Sequence, residues 1–299
     1  RQLADLKQAQ PSVGFSHPHW LCQRWLDRWG DEKLRSLLAW NNSPPPTYAR
    51  VNTLRTDADR LAEQWGQEGV AFASRRWDWT GDGLVFELLS HPPLATLTSF
   101  QQGLFYIQDP STLLAVQELD PQPGERVLDV CAAPGGKTTA IAQRMRNAGL
   151  VEAQDLQLDR RRMIWENCER LGVTCVRLAE PTAPEAGSAP ALFDRVLLDA
   201  PCSNTGVMRR RVELRWRIRP EEIERLSRLQ LDLLARAASQ LQPGGTLVYS
   251  TCSLEPEENA QVIQRFLAAH ANFQLLRDRT LLPFEHGVDG AYVARLIRR

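Results

Sequence analysis

Short apolar runs alternate with longer amphipathic stretches through the last two-thirds of the chain, the pattern of a parallel sheet laced with helices. Arg126 to Val130 is a brief apolar run that reads as a buried strand. Lys137 to Arg146 has helical spacing, and Gly149 stands where a C-terminal glycine stops a helix. Leu150 to Asp155 reads as a second strand, and Asp159 to Leu171 as a helix ended by Gly172. Thr174 to Arg177 and Phe193 to Asp199 read as a third and fourth strand, joined by a connection over 180–191 rich in Ala, Pro and Glu. Pro220 to Leu241 predicts a long helix with proline in its first turn, where the missing N–H costs little. Thr246 to Ser250 is a fifth strand, Pro256 to His270 a helix, and Ala291 to Leu296 alternates like a late strand. The pattern predicts an α/β fold, a doubly wound and mostly parallel sheet with helices on both faces.

The first hundred residues are less regular. Trp20 to Trp40 has helical spacing, Asn42 to Pro46 is a polar, proline-rich break, Tyr48 to Leu54 reads as a strand and Ala58 to Gly69 as a helix. Tryptophan is frequent here, with spacing that suits packing better than a base-stacking platform. The alternating pattern begins near Gly103, which divides the chain into residues 1–102 and 103–299.

Composition narrows the class. The 299 residues are 43% hydrophobic and 24% charged, with room for two cores and no run of about 18 apolar residues. No secretory signal is visible. The six cysteines, Cys22, Cys131, Cys168, Cys175, Cys202 and Cys252, include no C-x-x-C pair and no accompanying histidine cluster. A metal site is therefore not expected, and reduced thiols in a cytoplasmic protein fit this usage. Cys22, Cys168 and Cys175 read as small buried hydrophobes. Formal net charge is zero, so binding to a polyanion would need local concentration of charge. The stretch from Arg209 to Arg219 carries six arginines against one glutamate, and Arg209, Arg210 and Arg211 follow Cys202 closely enough to suggest phosphate contact.

Candidate chemistry sits just beyond predicted strands, where ligands bind in open α/β sheets. Cys131-Ala132-Ala133-Pro134-Gly135-Gly136-Lys137-Thr138 follows the first strand. It nearly matches a phosphate loop, but cysteine stands where the first glycine belongs, and the dinucleotide pattern G-x-G-x-x-G is absent. A small-residue turn at a helix N-terminus can also hold a carboxylate such as that of S-adenosylmethionine. Asp155 ends the second strand, placed to take ribose hydroxyls; Glu180 follows the third and could reach an adenine. Cys202, after Asp199, and Cys252 follow the fourth and fifth strands, so their thiols should share one cleft. A cofactor turn with two convergent thiols suits methylation at C5 of a pyrimidine, a carbon made nucleophilic by thiolate addition to C6. Positive charge from the arginines, or a helix start near Pro256, would favour the thiolate.

Three segments carry a resemblance: Asp129 to Thr138, Asp199-Ala200-Pro201-Cys202-Ser203-Asn204-Thr205-Gly206-Val207, and Tyr249 to Leu254. Glu257-Glu258-Asn259, Asp289-Gly290, His19-Trp20-Leu21, Asn41 to Pro46 and Arg50-Val51-Asn52 extend it over nearly the whole chain. The sequence resembles the bacterial Sun/Fmu family of RNA cytosine-C5 methyltransferases, nearest its small-subunit ribosomal RNA branch. The resemblance implies a Rossmann-like S-adenosylmethionine-dependent catalytic domain over 103–299 and a smaller N-terminal α+β, RRM-like RNA-binding subdomain over 1–102. It implies Cys252 as the nucleophile, Cys202 as the cysteine that resolves the adduct, and Asp199 between cofactor and base. It also implies cofactor contacts from Cys131, Ala132, Ala133, Pro134, Gly135, Gly136, Lys137, Asp155, Arg160, Glu180 and Asp199, with Glu180 standing where the family more often has aspartate. The family's separate NusB-like RNA-binding domain would lie outside these 299 residues. The partner implied is RNA, ribosomal above all, bound by a monomer without metal or membrane. Transfer RNA as substrate, DNA cytosine methylation with Cys202 as nucleophile, a non-catalytic RNA-binding factor and a nucleotide hydrolase are the competing readings.

Overall fold

A computed structural model describes residues 2–180 and 192–299, so the expected connection over 180–191 lies, apart from Glu180, outside the described residues. Four antiparallel strands make a small sheet: β1 (Thr47–Val51), β2 (Ala71–Arg75), β3 (Val85–Ser90) and β4 (Phe105–Ile107), in spatial order β2-β3-β1-β4. The helix Ala58–Gln67 covers one face; Asp57 caps it by accepting from the Arg60 amide. Trp65 from this helix is fully buried among Phe72, Phe86 and Phe105. The sequence pattern shows β1 but not β2 and β3. The face of β2 is half-exposed and carries Ser74 and Arg75, so it lacks the apolar alternation that marks a strand. β4 pairs with β1, so the small sheet draws its last strand from residues just past the expected boundary at 102.

The large sheet holds β5 (Arg126–Val130), β6 (Leu150–Gln154), β7 (Val176–Ala179), β8 (Phe193–Asp199), β9 (Leu241–Thr251), β10 (Phe273–Leu281) and β11 (Ala291–Arg298). Its order is β10-β11-β9-β8-β5-β6-β7. The run from β9 to β7 is parallel, while β11 is antiparallel to both β9 and β10. β10 gives no signal in the pattern: it is an edge strand whose outer positions carry Arg277, Asp278 and Arg279, the charged dress that keeps edges from pairing. β7 begins two residues later than expected. The last long helix starts at Ala260, not Pro256. Asn259 is the reason: its side chain accepts from Thr251 at 2.6 Å and donates to the Ser253 carbonyl at 2.9 Å, which holds its backbone outside helical geometry.

An N-terminal helix, His19–Asn41, is bent at Gly30 (φ 80°) and buries Leu21, Trp25, Leu34, Leu37 and Leu38. These pack against Met208, Ile218, Ile223 and Leu254 of the larger domain. Polar bonds reinforce that seam. The buried Glu255 carboxylate accepts from Trp25 Nε1 (3.0 Å), Arg24 Nε (2.6 Å) and Arg28 Nη2 (3.0 Å). No helix among the described residues is long and apolar enough to cross a membrane.

Arg50 of β1 is the link from the small sheet to the glycine turn. Only 2% exposed, it donates to the Gly136 carbonyl (2.8 Å), Thr139 Oγ1 (2.9 Å) and Gln108 Oε1. Burial lowers its pKa to about 10, still well above neutrality, so it remains a cation. Arg50→Ala removes these donors and opens a cavity in a closed seam, so it is expected to cost about 3 kcal/mol. Urea unfolding midpoints of the variant and parent chains measure this.

Candidate functional site

β5 lies between β6 and β8, so the winding order of the sheet reverses there and a crevice opens beyond the carboxyl ends of the strands. After β5 the chain turns through Cys131 (φ 62°) and Gly135 (φ 99°) into the helix Gly136–Arg144. A side chain at Gly135 would bring Cβ to 3.2 Å from the Ile164 backbone at a strained φ, which is why glycine serves there. The buried Asp129 accepts from Thr138 Oγ1 at 2.6 Å and closes strand onto helix. Burial pushes its pKa to about 7, although the Thr138 bond pulls the other way. The amides of Gly136 and Lys137 open the helix without a hydrogen-bond partner among the described residues.

Asp155 stands beside this turn. Its Oδ2 accepts from the Ala133 amide (3.3 Å) and lies 3.5 Å from Arg160 Nη1, and Arg160 in turn donates to the Ala133 carbonyl at 2.8 Å. The turn, Asp155 and Arg160 are therefore one hydrogen-bonded unit. This donor set fits S-adenosylmethionine: the open amides suit its carboxylate, and Asp155 suits its ribose hydroxyls. Glu180 is held by a different partner. Its side chain is 69% exposed and pairs with Arg161 Nη2 at 2.7 Å.

β8 and β9 run side by side with Asp199 opposite Ser250. That register brings the two loops that follow into contact, and Cys202 Sγ lies 3.3 Å from Cys252 Sγ. Asp199 is oriented by Lys137 Nζ (2.6 Å) and Ser250 Oγ (2.7 Å). Burial opposes charge on Lys137, but Asp199 more than offsets it and raises the Lys137 pKa. The field of Lys137 also takes in the Cys252 sulfur, so the cation facing this thiol is a lysine of the cofactor turn. Cys202 differs sharply from Cys252 in setting. It is buried, and its hydrogen bond with Cys252, then burial, drive its pKa well above the ordinary thiol value. Burial also raises Cys131, to about 12, with Asp199, Asp155 and Asp129 adding to the effect.

Several participants give no strong signal in the sequence. Asn204 adopts a left-handed conformation (φ 60°), donates to the Cys202 carbonyl (2.7 Å) and accepts from Cys252 Sγ (2.8 Å). Asparagine tolerates that backbone region, and an Asn shortly before a Gly after Pro-Cys is the available clue. Glu258, fully buried, joins both cysteine loops. It accepts from the Ser203 amide (2.8 Å), Gln230 Nε2 (3.1 Å) and the Ser203 and Ser253 hydroxyls. Gly206 fits between Cys252 and Gly290, where an added Cβ would lie 2.5 Å from the Gly290 carbonyl oxygen.

The arginine run divides. Arg209 donates to the Ser43 and Pro44 carbonyls and lies over Trp40, Arg210 bridges Asp109 and Asp289, and Arg215 is buried against Asn41 and Asn42. Of the three arginines singled out from the sequence, Arg209 and Arg210 are thus engaged within the molecule, and Arg211 is exposed. No cluster of His, Cys, Asp and Glu able to hold a metal occurs among the described residues.

Comparison with known proteins agrees with this geometry. Residues 116–297 match the family model described as 16S rRNA methyltransferase RsmB/F, and residues 17–87 that of an RsmF/B-like, ferredoxin-like domain. The chain belongs to the RsmB/F family of 16S rRNA methyltransferases. As a member, it is a methyltransferase. It is 35% identical to the probable ribosomal RNA small subunit methyltransferase B of Bacillus subtilis, over 95% of this chain and 67% of that protein. The ribosomal RNA small subunit methyltransferase B of Klebsiella pneumoniae is 37% identical, with the same coverage of 95% and 67%. The chain thus spans about two-thirds of the length of these relatives. Among solved structures, a methyltransferase homolog from Pyrococcus horikoshii superposes with a TM-score of 0.83 at 33% identity, covering 96% of this chain and 97% of that one. NSun6 from Pyrococcus horikoshii with SFG shares the fold, with a TM-score of 0.81 at 24% identity over 94% of this chain and 98% of that one.

Two outcomes test the site. If Asp155 takes the ribose hydroxyls, Asp155→Asn should weaken S-adenosylmethionine binding by about 10-fold, read by calorimetric titration, as a charged acceptor becomes a neutral one. Asp129 keeps its proton in the folded chain up to about pH 7, whereas in the unfolded chain it ionises near pH 4. The folded state binds the extra proton across that window, so the contribution of this group to stability falls as pH rises from about 4 to about 7. Asp129→Asn removes that fall. The urea midpoint of the variant, relative to the parent, should therefore be higher at pH 8 than at pH 5.

Proposed function

We propose that this chain methylates C5 of a cytosine in 16S ribosomal RNA, with Cys252 adding to C6 and Cys202 assisting release of the adduct. The observation that carries this reading is the pair of thiols 3.3 Å apart at the ends of β8 and β9, beside the Lys137–Asp199 pair. Cytosine C5 is a weak nucleophile. When the Cys252 thiolate forms a bond to C6, the C5–C6 π electrons become available at C5. Lys137 lies within electrostatic reach of the Cys252 sulfur. Asp199, held by Lys137 and Ser250, accepts from the N4 amino group and fixes the ring. S-adenosylmethionine, when bound, supplies the electrophilic methyl group for C5. A base then takes the C5 proton, the C–S bond to Cys252 breaks, and the C5–C6 double bond returns. Cys202, a neutral thiol in contact with Cys252, donates a hydrogen bond to the departing sulfur. A base approached from both faces must leave its stack, so unpaired or loop RNA suits the site.

The contrast between the thiols favours Cys252 over Cys202 as nucleophile. Cys202 is buried and holds its proton, and a thiol in that state is a poor attacking group. The 16S RNA assignment rests on the names of the relatives; transfer RNA is the comparison substrate in any assay.

The test uses labelled S-adenosylmethionine, protein-free 16S ribosomal RNA and transfer RNA, with hydrolysis of the product to nucleosides. Cys252→Ala should lose about 10³-fold or more of the methyl transfer. Cys202→Ala should accumulate a denaturation-resistant protein–RNA species, visible as a shifted band on a denaturing gel. Normal turnover by Cys252→Ala would sink the scheme, and a shifted band from that variant with none from Cys202→Ala would reverse the two roles.

A further inference from the structure

The segment after the cysteine loop alternates between anchored and outward-facing residues. Arg215 is buried on Asn41 and Asn42, and Ile218 is buried in the seam with the N-terminal helix. Between and beyond these anchors, Trp216, Arg217 and Arg219 face out. Trp216 is 63% exposed, whereas Trp25 and Trp65 are fully buried. Among the described residues neither Arg217 nor Arg219 takes part in an ion pair, unlike Arg209 and Arg210 with their intramolecular partners.

Two cavities meet at this segment. One, of about 460 Å³, has Cys202, Asn204, Arg217, Ile218 and Arg219 in its wall. Cys202 and Asn204 each contact the Cys252 sulfur, so this cavity borders the loop that carries one of the paired thiols. The second, of about 410 Å³, is lined by Trp20, Trp216 and Arg219 and shares Ile218, Arg219 and Glu221 with the first. Through these shared residues the two cavities adjoin, a track along the surface that passes Cys202 and Asn204. Glu221 and Glu222 are the acidic residues along it, and Glu222 is neutralised by Arg225 at 2.6 Å.

We infer that this track seats the RNA nucleotides adjoining the target cytosine, with Arg217 and Arg219 on phosphates and Trp216 stacked on a neighbouring base. The inference rests on the reading of Cys252 as the point of attack. A polyanionic strand leaving that point needs compensating charge within a nucleotide or two, and unpaired arginines beside an exposed indole are the pairing that single-stranded RNA takes up. The anchors at Arg215 and Ile218 hold the segment before RNA arrives, so little ordering is needed on binding.

The experiment measures the affinity of protein-free 16S ribosomal RNA for the whole chain over a series of salt concentrations, with Arg217→Ala/Arg219→Ala and Trp216→Ala beside the parent. The double variant should bind roughly 10-fold more weakly, with a salt slope reduced by about 1.4, which is about 0.7 for each single-strand phosphate left without its arginine. Trp216→Ala should bind roughly 10-fold more weakly with its slope unchanged, as stacking is not ionic. In methyl transfer, KM for RNA should rise in both variants by more than kcat falls. S-adenosylmethionine affinity and melting temperature should match the parent, which verifies folding. An unchanged salt slope in the double variant, or full RNA affinity in both variants, overturns the inference. These readouts are independent of the reaction, so RNA binding that weakens in the variants as expected, beside normal activity in Cys252→Ala, would refute the proposed chemistry but not the RNA contacts of Trp216, Arg217 and Arg219.

Discussion

One buried carboxylate holds the reactive end of this molecule together. Glu258 accepts hydrogen bonds from both the Ser203 and Ser253 hydroxyls, from the Ser203 amide and from Gln230. Each serine immediately follows one of the paired cysteines, so a single group sets the distance between two loops some fifty residues apart in the chain. Burial raises the pKa of this carboxyl while its donors pull it down. Unpairing it would leave a buried polar group without compensation, a cost large enough to keep the arrangement rigid. Parallel pairing of β8 with β9 brings the loops near each other, and Glu258 then sets their final spacing.

A comparable economy joins the two domains. Arg50 reaches from the small sheet into the cofactor turn, and Glu255, three residues past Cys252, receives Trp25, Arg24 and Arg28 from the N-terminal helix. The ferredoxin-like part therefore touches both halves of the site: one contact is at the turn after β5, the other at the loop after β9. Arg209, Arg210 and Arg215 add to the same seam. Charge that looks, in sequence, like a single basic stretch is divided by the fold into structural and outward-facing residues. That division leaves Arg211, Arg217 and Arg219 facing outward on a chain of zero net charge.

The large sheet is legible because its central strands, buried on both faces, are short apolar runs, and the helix after β6 ends at Gly172; the helix after the cofactor turn instead ends at Arg144, well short of Gly149. The turn at 131–137 and both cysteine segments are legible for the same reason: each follows such a run. The half-exposed β2 and the charged edge strand β10 carry no comparable contrast, and neither can be read from the pattern. The helix expected from Pro256 starts at Ala260 because the Asn259 side chain, bonded to two residues behind it, outweighs the local preference of proline for a first turn.

From the sequence alone came the α/β class, the family resemblance and the residues able to do chemistry, since these depend on local periodicity and short motifs. The sequence also led to the expectation that Cys202 and Cys252 share one cleft; tertiary structure decided the contact itself and the other pairings. It placed Cys202 against Cys252, gave the facing positive charge to Lys137, turned Glu180 toward Arg161, and drew Arg209 and Arg210 into the domain seam. The physical reason is that strand order, register and buried hydrogen bonds are properties of the folded sheet. The order of strands along the chain can suggest neighbouring loops, but the side-chain contacts between them exist only once the sheet has formed.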